Sequence, residues 1–388
     1  YLMKFSCKTS ALLSAVQLTS RAIGGEQMLP ILQNVLMVVS GNRCTLSATN
    51  LELSIVMSFD ATIESEGTIT VPAKALLNFV QYNQDEEVVL EAAEGTQLKL
   101  KSKRAKAMIS GESASAYPVI TSIAKQATFS LPADPLLRAL NLVTFACAKT
   151  TSRPVISGVF MKVEQGAITL VGTDSYRLSE YKMSVEGIEQ EMSCIIPAKF
   201  LEELKVVIAG RKMAEGAENK EKKEKKISET DVISMNVSQQ QIEATVGHVQ
   251  LTSRLIDGKF PDYIQVLPKV KNTTCHISVK ELLSAVKRMH YFAKEVNNNI
   301  TFAITPEVMH LSTKQTQMGK DESDIAAMVQ GTENKIAISS HYLIDFLSRI
   351  DSDSLDMELS DKMHPAVFRL PTDEQYLHLI MPLRMADE

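Results

Sequence analysis

Apolar and polar positions along the chain fall into two rhythms, and each rhythm returns three times. Leu12-Leu13-Ser14-Ala15-Val16 recurs as Leu136-Leu137-Arg138-Ala139-Leu140 and again as Leu282-Leu283-Ser284-Ala285-Val286. Apolar residues at i, i+1 and i+4 mark one face of an amphipathic helix. Asp134-Pro135 reads as an N-cap with proline at the first helical position, and Ser278-Val279-Lys280-Glu281 as a capping box. A second helical start keeps step with the first: Pro72-Ala73-Lys74, Pro197-Ala198-Lys199 and Ser339-Ser340-His341 each open an apolar run. The steps from Leu12 to Pro72, Leu136 to Pro197 and Leu282 to Ser339 are nearly equal. Between the helices, residues alternate with period two, as in half-buried strands. Examples are 32–37, 44–48, 88–90, 168–171, 241–246, 309–312 and 354–359.

A supersecondary pattern repeated at a fixed interval indicates an array of like domains. The reading is an α+β fold of three repeated domains, each with two helices packed on antiparallel sheets. The predicted domains are 3–126, 127–256 and 257–388. The second interval is longer than the first, and the excess is assigned to 214–229, with its run Asn219-Lys220-Glu221-Lys222-Lys223-Glu224-Lys225-Lys226. Mixed charge without apolar spacing buries no core, so this insertion is expected to be a solvated hairpin loop.

Composition narrows the class. The chain has 388 residues, 45% hydrophobic and 22% charged, the balance of a globular protein. No stretch of 18 apolar residues occurs, so no membrane partner is expected. Met3 reads as the natural start, and the N-terminus lacks the apolar core of a signal peptide. Five widely spaced cysteines, an odd number, suit a reducing cytoplasm. A net charge of −5 argues against a uniformly basic nucleic-acid binder, but leaves room for a local basic surface.

Catalytic and metal chemistry find no footing. The sequence has no Gly-rich phosphate loop, no GxGxxG, no CxxC and no histidine pair at i, i+4. Asp351-Ser352-Asp353 opens like a calcium loop but lacks the glycine and distal glutamate. Ser110-Gly111-Glu112-Ser113 is not a nucleophile elbow. A non-catalytic protein without cofactors is expected.

Several strings in order resemble one family: Met3-Lys4-Phe5, Leu29-Pro30-Ile31-Leu32, Thr173-Asp174-Ser175-Tyr176-Arg177-Leu178, Asp257-Gly258-Lys259-Phe260-Pro261-Asp262-Tyr263 and Met381-Pro382-Leu383-Arg384-Met385. On the threefold repeat they are similar to the bacterial sliding clamps, the beta subunits of DNA polymerase III. The resemblance covers essentially the whole chain. It implies the DNA clamp fold, closed into a ring as a head-to-tail homodimer around double-stranded DNA without sequence preference. It also implies a processivity factor for DNA replication, with three kinds of partner. These are the polymerase III catalytic subunit, a clamp loader, and other polymerases and repair proteins carrying a clamp-binding peptide.

Carried over by motif, the peptide site is Ile156, Thr173, Ser175, Tyr176, Leu178, Pro261, Val266, Leu379, Met381, Pro382, Leu383, Arg384 and Met385. The expected DNA contacts are Lys74, Lys149, Arg153, Lys199, Lys205, Lys287 and Arg288. Neighbouring Arg138, Lys280, Lys294, Arg211 and Lys212 lie on or beside the same helices. Lysines of this kind attract phosphates weakly and with steep salt dependence. The sequence departs from the family pattern at Ser175-Tyr176, where relatives often carry Gly-His. It also departs at Gln265 and Glu26, positions that are basic in some relatives, and in the tail Ala386-Asp387-Glu388, expected to point outward. The competing reading is a scaffold with no DNA role, favoured if the basic residues share no common surface.

Overall fold

The computed structural model describes residues 3–25, 29–93, 96–120, 123–124, 126–150, 152–185, 191–218 and 231–385. Among the described residues, six α-helices lie where the repeat places them. They are α1 (Thr9–Thr19), α2 (Ala73–Tyr82), α3 (Ala133–Val143), α4 (Ala198–Glu218), α5 (Val279–Ala293) and α6 (Ser340–Leu347). Ser278 caps α5 by accepting a hydrogen bond from the Glu281 N–H. Two local expectations need correction. Helix α3 begins at Ala133, which puts Asp134 in its first turn and not at the cap. Helix α4 runs on to Glu218, so the first part of the predicted 214–229 loop is helical. The charged run 219–226 lies outside the described residues, as do Glu26 and the 386–388 tail.

The chain divides into two compact units. The first comprises 1–134 and 199–255, the second 135–198 and 256–388. Each unit holds one outer repeat and half of the central one.

In the first unit, an eight-stranded antiparallel sheet crosses the repeat boundary. Strand Leu53–Asp60 of the first repeat pairs with Val249–Arg254 of the central repeat, Met57 opposite Val249 and Leu53 opposite Ser253. A five-stranded sheet completes this unit, in the order 62–65, 3–8, 87–93, 97–101, 106–110, with Lys106–Ser110 at its edge. On α1, Leu12, Ala15 and Val16 are fully buried, the face that the leucine pattern marks.

The second unit repeats the device. Its nine-stranded sheet runs in the order 192–197, 158–164, 167–173, 177–184, 373–380, 366–370, 354–359, 273–278, 327–331. The boundary is crossed where Arg177–Ser184 of the central repeat pairs with Asp373–Ile380 of the third. A four-stranded sheet, 322–325, 309–312, 299–304, 334–339, leaves Glu322–Ile325 at an edge.

Strand alternation sorts the side chains at this second seam. Leu178, Glu180, Leu377 and Leu379 share one face, while Arg177, Ser179, Tyr376 and His378 share the other. The latter face is a buried polar–aromatic cluster. The Arg177 guanidinium donates to Asp174 Oδ2 (3.0 Å), Asp345 Oδ2 (2.6 Å) and the Phe145 carbonyl (2.8 Å), and lies 4.7 Å from the Tyr342 ring centroid. Burial favours a neutral Asp345, but hydrogen bonds and charge from Arg177 and Arg349 win and hold its carboxyl below the usual range. His378 is fully buried, stacks on Phe346 at 4.4 Å, and shares a 2.7 Å hydrogen bond with the Ser179 hydroxyl. Burial, and then the Arg177 charge, hold its pKa well below the ordinary value.

That depression has a definite consequence for stability. His378 stays neutral in the fold and takes up a proton on unfolding once pH drops below about 6.5. Its contribution is intact above that pH and is lost as pH falls below it, by up to about 1.4 kcal/mol per pH unit. Urea unfolding between pH 7.5 and 5 should show this slope. His378→Phe should flatten it, and an unchanged slope in the variant would refute the assignment.

Candidate functional site

The apolar face of the second seam is the floor of the candidate site. Ile156, Val171, Leu178, Ile195, Phe260, Val367, Leu377 and Leu379 form one buried cluster, with Val155, Tyr263, Leu267 and Met381 packed against it. The register puts Leu178 opposite Leu379, and the ladder continues past the strand end through the Met381 N–H donating to the Tyr176 carbonyl at 2.8 Å. Three predicted residues, Ile156, Leu178 and Leu379, are thus brought together and buried. Methionine at the margin suits a surface that must adapt to more than one ligand.

One rim is the turn 173–178. Thr173 Oγ1 accepts from the Ser175 N–H (3.1 Å) and donates to the Arg177 carbonyl (2.7 Å). Asp174 Oδ1 accepts from the N–H groups of Tyr176 (2.9 Å) and Arg177 (3.0 Å). These side-chain bonds close a tight turn that holds Ser175 at φ +80° and leaves Tyr176 58% exposed. The segment 257–267 packs Phe260, Tyr263 and Leu267 on the same cluster and carries exposed Pro261 and Val266, the latter 40% exposed. Pro382, Leu383 and Met385 are half-buried beyond Met381, and the Leu383 N–H donates to the Ala337 carbonyl. Arg384 is exposed, while its carbonyl accepts from Asn299.

Three models of the DNA polymerase III beta subunit match in succession: the N-terminal domain over 3–121, the central domain over 130–262 and the C-terminal domain over 264–384. The chain belongs to this family. Similar curated proteins include the beta sliding clamps of Synechocystis sp. (27% identity, 99% of this chain and 100% of that one) and Bacillus subtilis (27%, 98% and 100%). Among solved structures, the Bacillus subtilis clamp aligns with a TM-score of 0.90 at 25% identity, over 99% of this chain and 100% of that one. A Pseudomonas aeruginosa sliding clamp bound to griselimycin aligns at 0.88 and 25%, with the same coverage. The chain is a sliding clamp of DNA polymerase III, a processivity factor and not an enzyme, with the three-domain clamp fold.

The predicted DNA contacts divide into several groups. Lys74, Lys149 and Lys287 are exposed. Lys199 is exposed but ion-paired with the buried Glu203, which also accepts from Arg21. Arg288 is exposed and forks onto Asp321 at 2.8 and 3.1 Å, a bond that raises its pKa. Arg153 donates to Ser175 Oγ at 3.0 Å, which ties it to the 173–178 turn. Lys205 corrects the sequence reading: it is only 9% exposed and pairs with Glu202 at 2.9 Å, so it presents no charge to a duplex. Arg211 is likewise buried, against Asp134. Helical spacing alone could not separate these inward cations from the outward ones, because long side chains bury their stems while pairing their charge.

Val367, Leu377, Glu180 and Tyr263 belong to the site region but escape motif transfer. Alternation of Leu377, Leu379 and Met381 could have signalled the first of the two leucines. No local signal marks Glu180. A left-handed Ser175 is strained, because its Cβ crowds the backbone. Ser175→Val should therefore cost about 1–2 kcal/mol in urea unfolding, whereas Ser175→Gly should be neutral or stabilising. Equal stability of the two variants would contradict the strain.

Proposed function

We propose that two copies of this chain close head to tail into a ring around duplex DNA, and that the apolar groove seats short peptides of polymerases and other replication proteins. The observation that carries the ring is a match of sheet orders. Inside the second unit, a four-strand half (192–197, 158–164, 167–173, 177–184) meets a five-strand half (373–380, 366–370, 354–359, 273–278, 327–331). The third repeat ends on a four-stranded sheet of the same order with 322–325 at its edge. The first repeat begins on a five-stranded sheet of the same order with 106–110 at its edge. Joining these edges between copies makes the same nine-stranded sheet again. A heterologous contact of this kind closes a ring when its rotation completes a circle, and closure covers two strand edges.

Charge favours the same pairing. Lys99, Lys101, Lys103 and Lys106 lie on or beside the first edge, and Asp321, Glu322 and Asp324 on or beside the second. Lys106→Glu is expected to weaken self-association about tenfold or more in sedimentation velocity, with rescue by Glu322→Lys. An unaffected dimer would place the interface elsewhere.

Encirclement is sequence-independent, and exposed Lys74, Lys149 and Lys287 supply weak phosphate attraction to it. With a clamp loader and ATP, the protein should stay on circular DNA and run off the same DNA once linearised. Equal retention on both would sink the ring reading. Five widely spaced cysteines suit a reducing cytoplasm.

The groove offers Leu, Ile and Met side chains for apolar anchors, with the Thr173 and Ser175 hydroxyls at its margin. A fluorescein-labelled short peptide carrying leucine and phenylalanine near its C-terminus should bind, and griselimycin should compete with it. Met381→Asp should abolish binding while leaving the dimer intact. Binding unchanged in Met381→Asp would move the docking site off this groove.

A further inference from the structure

We infer that the Tyr263–Glu180 hydrogen bond is the latch that holds the outer wall of the groove in place, which makes both of them positioning residues for the docked peptide. The inference rests on the docking reading above. The wall is the segment carrying Pro261 and Val266, and its backbone is weakly tied. Ile256 donates to the Ile195 carbonyl at 2.9 Å before it, and Leu267 donates only to Ile264 within its own 3-10 turn. Among the described residues, no backbone hydrogen bond joins 257–266 to another element. Side chains therefore hold this stretch.

Three contacts do so. Phe260 stacks on Phe160, with ring centroids 5.0 Å apart and planes 13° from parallel. Leu267 packs on the buried cluster. Between them, the Tyr263 hydroxyl donates to Glu180 Oε2 at 2.5 Å. Phe260 lies before Pro261 and Leu267 after Val266, and between them Tyr263 holds the middle of the wall by its ring on the cluster and by its hydroxyl. Gly258 allows the approach: at φ +134°, a Cβ there would lie 2.6 Å from Val155 Cγ1.

Glu180 is built to receive this donor. It sits on the floor face of the seam strand, opposite Leu377 and two residues from Leu178. It is buried, and its other oxygen pairs with Lys182 at 3.2 Å. Burial first, and then the hydrogen bond and charge of Glu180, raise the Tyr263 pKa, so the phenol keeps its proton. A hydroxyl donating to a buried carboxylate is among the stronger single hydrogen bonds. The latch thus ties the wall to the strand that carries the floor and sets the groove's width.

Tyr263→Phe keeps the ring and removes the donor. Affinity for the labelled peptide should fall about tenfold, as expected for loss of a charge-assisted bond. The loss should appear in the dissociation rate, with faster amide exchange across 260–266 in a protein that stays folded under the binding conditions. Glu180→Gln, which keeps an acceptor, should bind within about threefold of the parent, and Glu180→Leu should match Tyr263→Phe. Equal affinity in Tyr263→Phe would overturn the latch, as would amide exchange across 260–266 left at the parent's rate or a loss shared equally by Glu180→Gln. Failure of the unmodified protein to bind the peptide would instead refute the docking reading, and the latch with it.

Discussion

The pairing of residues 177–181 with 376–380 is the constraint on which the second unit depends. Two repeats contribute one strand each, so neither can settle its sheet alone. Because side chains alternate across a strand, this single register fixes both faces at once. One face delivers Arg177 and His378 to the aromatic rings of Phe145, Phe346 and Tyr342. The other lays Leu178 beside Leu379 and Glu180 beside Leu377, where the apolar cluster of the candidate site gathers. A slip of one residue would put the Arg177 charge into the groove and Leu178 among the buried polar groups. Function and stability are therefore set by the same alignment.

Arg177 guards that alignment. Its guanidinium has partners in three directions, and each lies in a different stretch of chain: the 173–178 turn, the end of the segment after α3, and α6. A buried charge with this many partners adds little net stability but penalises any arrangement that leaves it unpaired. The turn that presents Ser175 and Tyr176 is rigid for the same reason, being held from within by Thr173 and Asp174 and from below by Arg177. The left-handed backbone at Ser175 persists because these contacts over-determine it.

Much of this was legible before any coordinates. The leucine pattern located the buried faces of α1 and α5, and period-two alternation located strands such as 241–246 and 354–359 to the residue. The apolar floor could be read as far as Ile156, Leu178 and Leu379. Sharing of sheets between repeats was not legible, because a repeat announces its own elements and is silent about which neighbour completes its edge. Lys205 and Arg211 misled for a related reason. Helical phase gives an angle, whereas burial depends on what a distant segment brings, here Asp134 against Arg211. Helix α4 also outran its predicted end, since the alanines and glutamates of 214–218 support a helix as well as a solvated loop.

Repetition at one seam bears on the other two. The pairing of 53–57 with 249–253 joins the first and central repeats, and that of 177–181 with 376–380 joins the central and third. In both, the last strand of one meander meets the last strand of the next repeat's second meander. Among the described residues, the third repeat's 322–325 and the first repeat's 106–110 occupy those places at sheet edges. A protein that solves the edge problem twice in one way leaves a complementary pair of edges in its first and third repeats. Such edges are a hazard in a monomer and an interface in a dimer. A second copy covering them would remove that hazard, which is the physical argument behind the proposed ring.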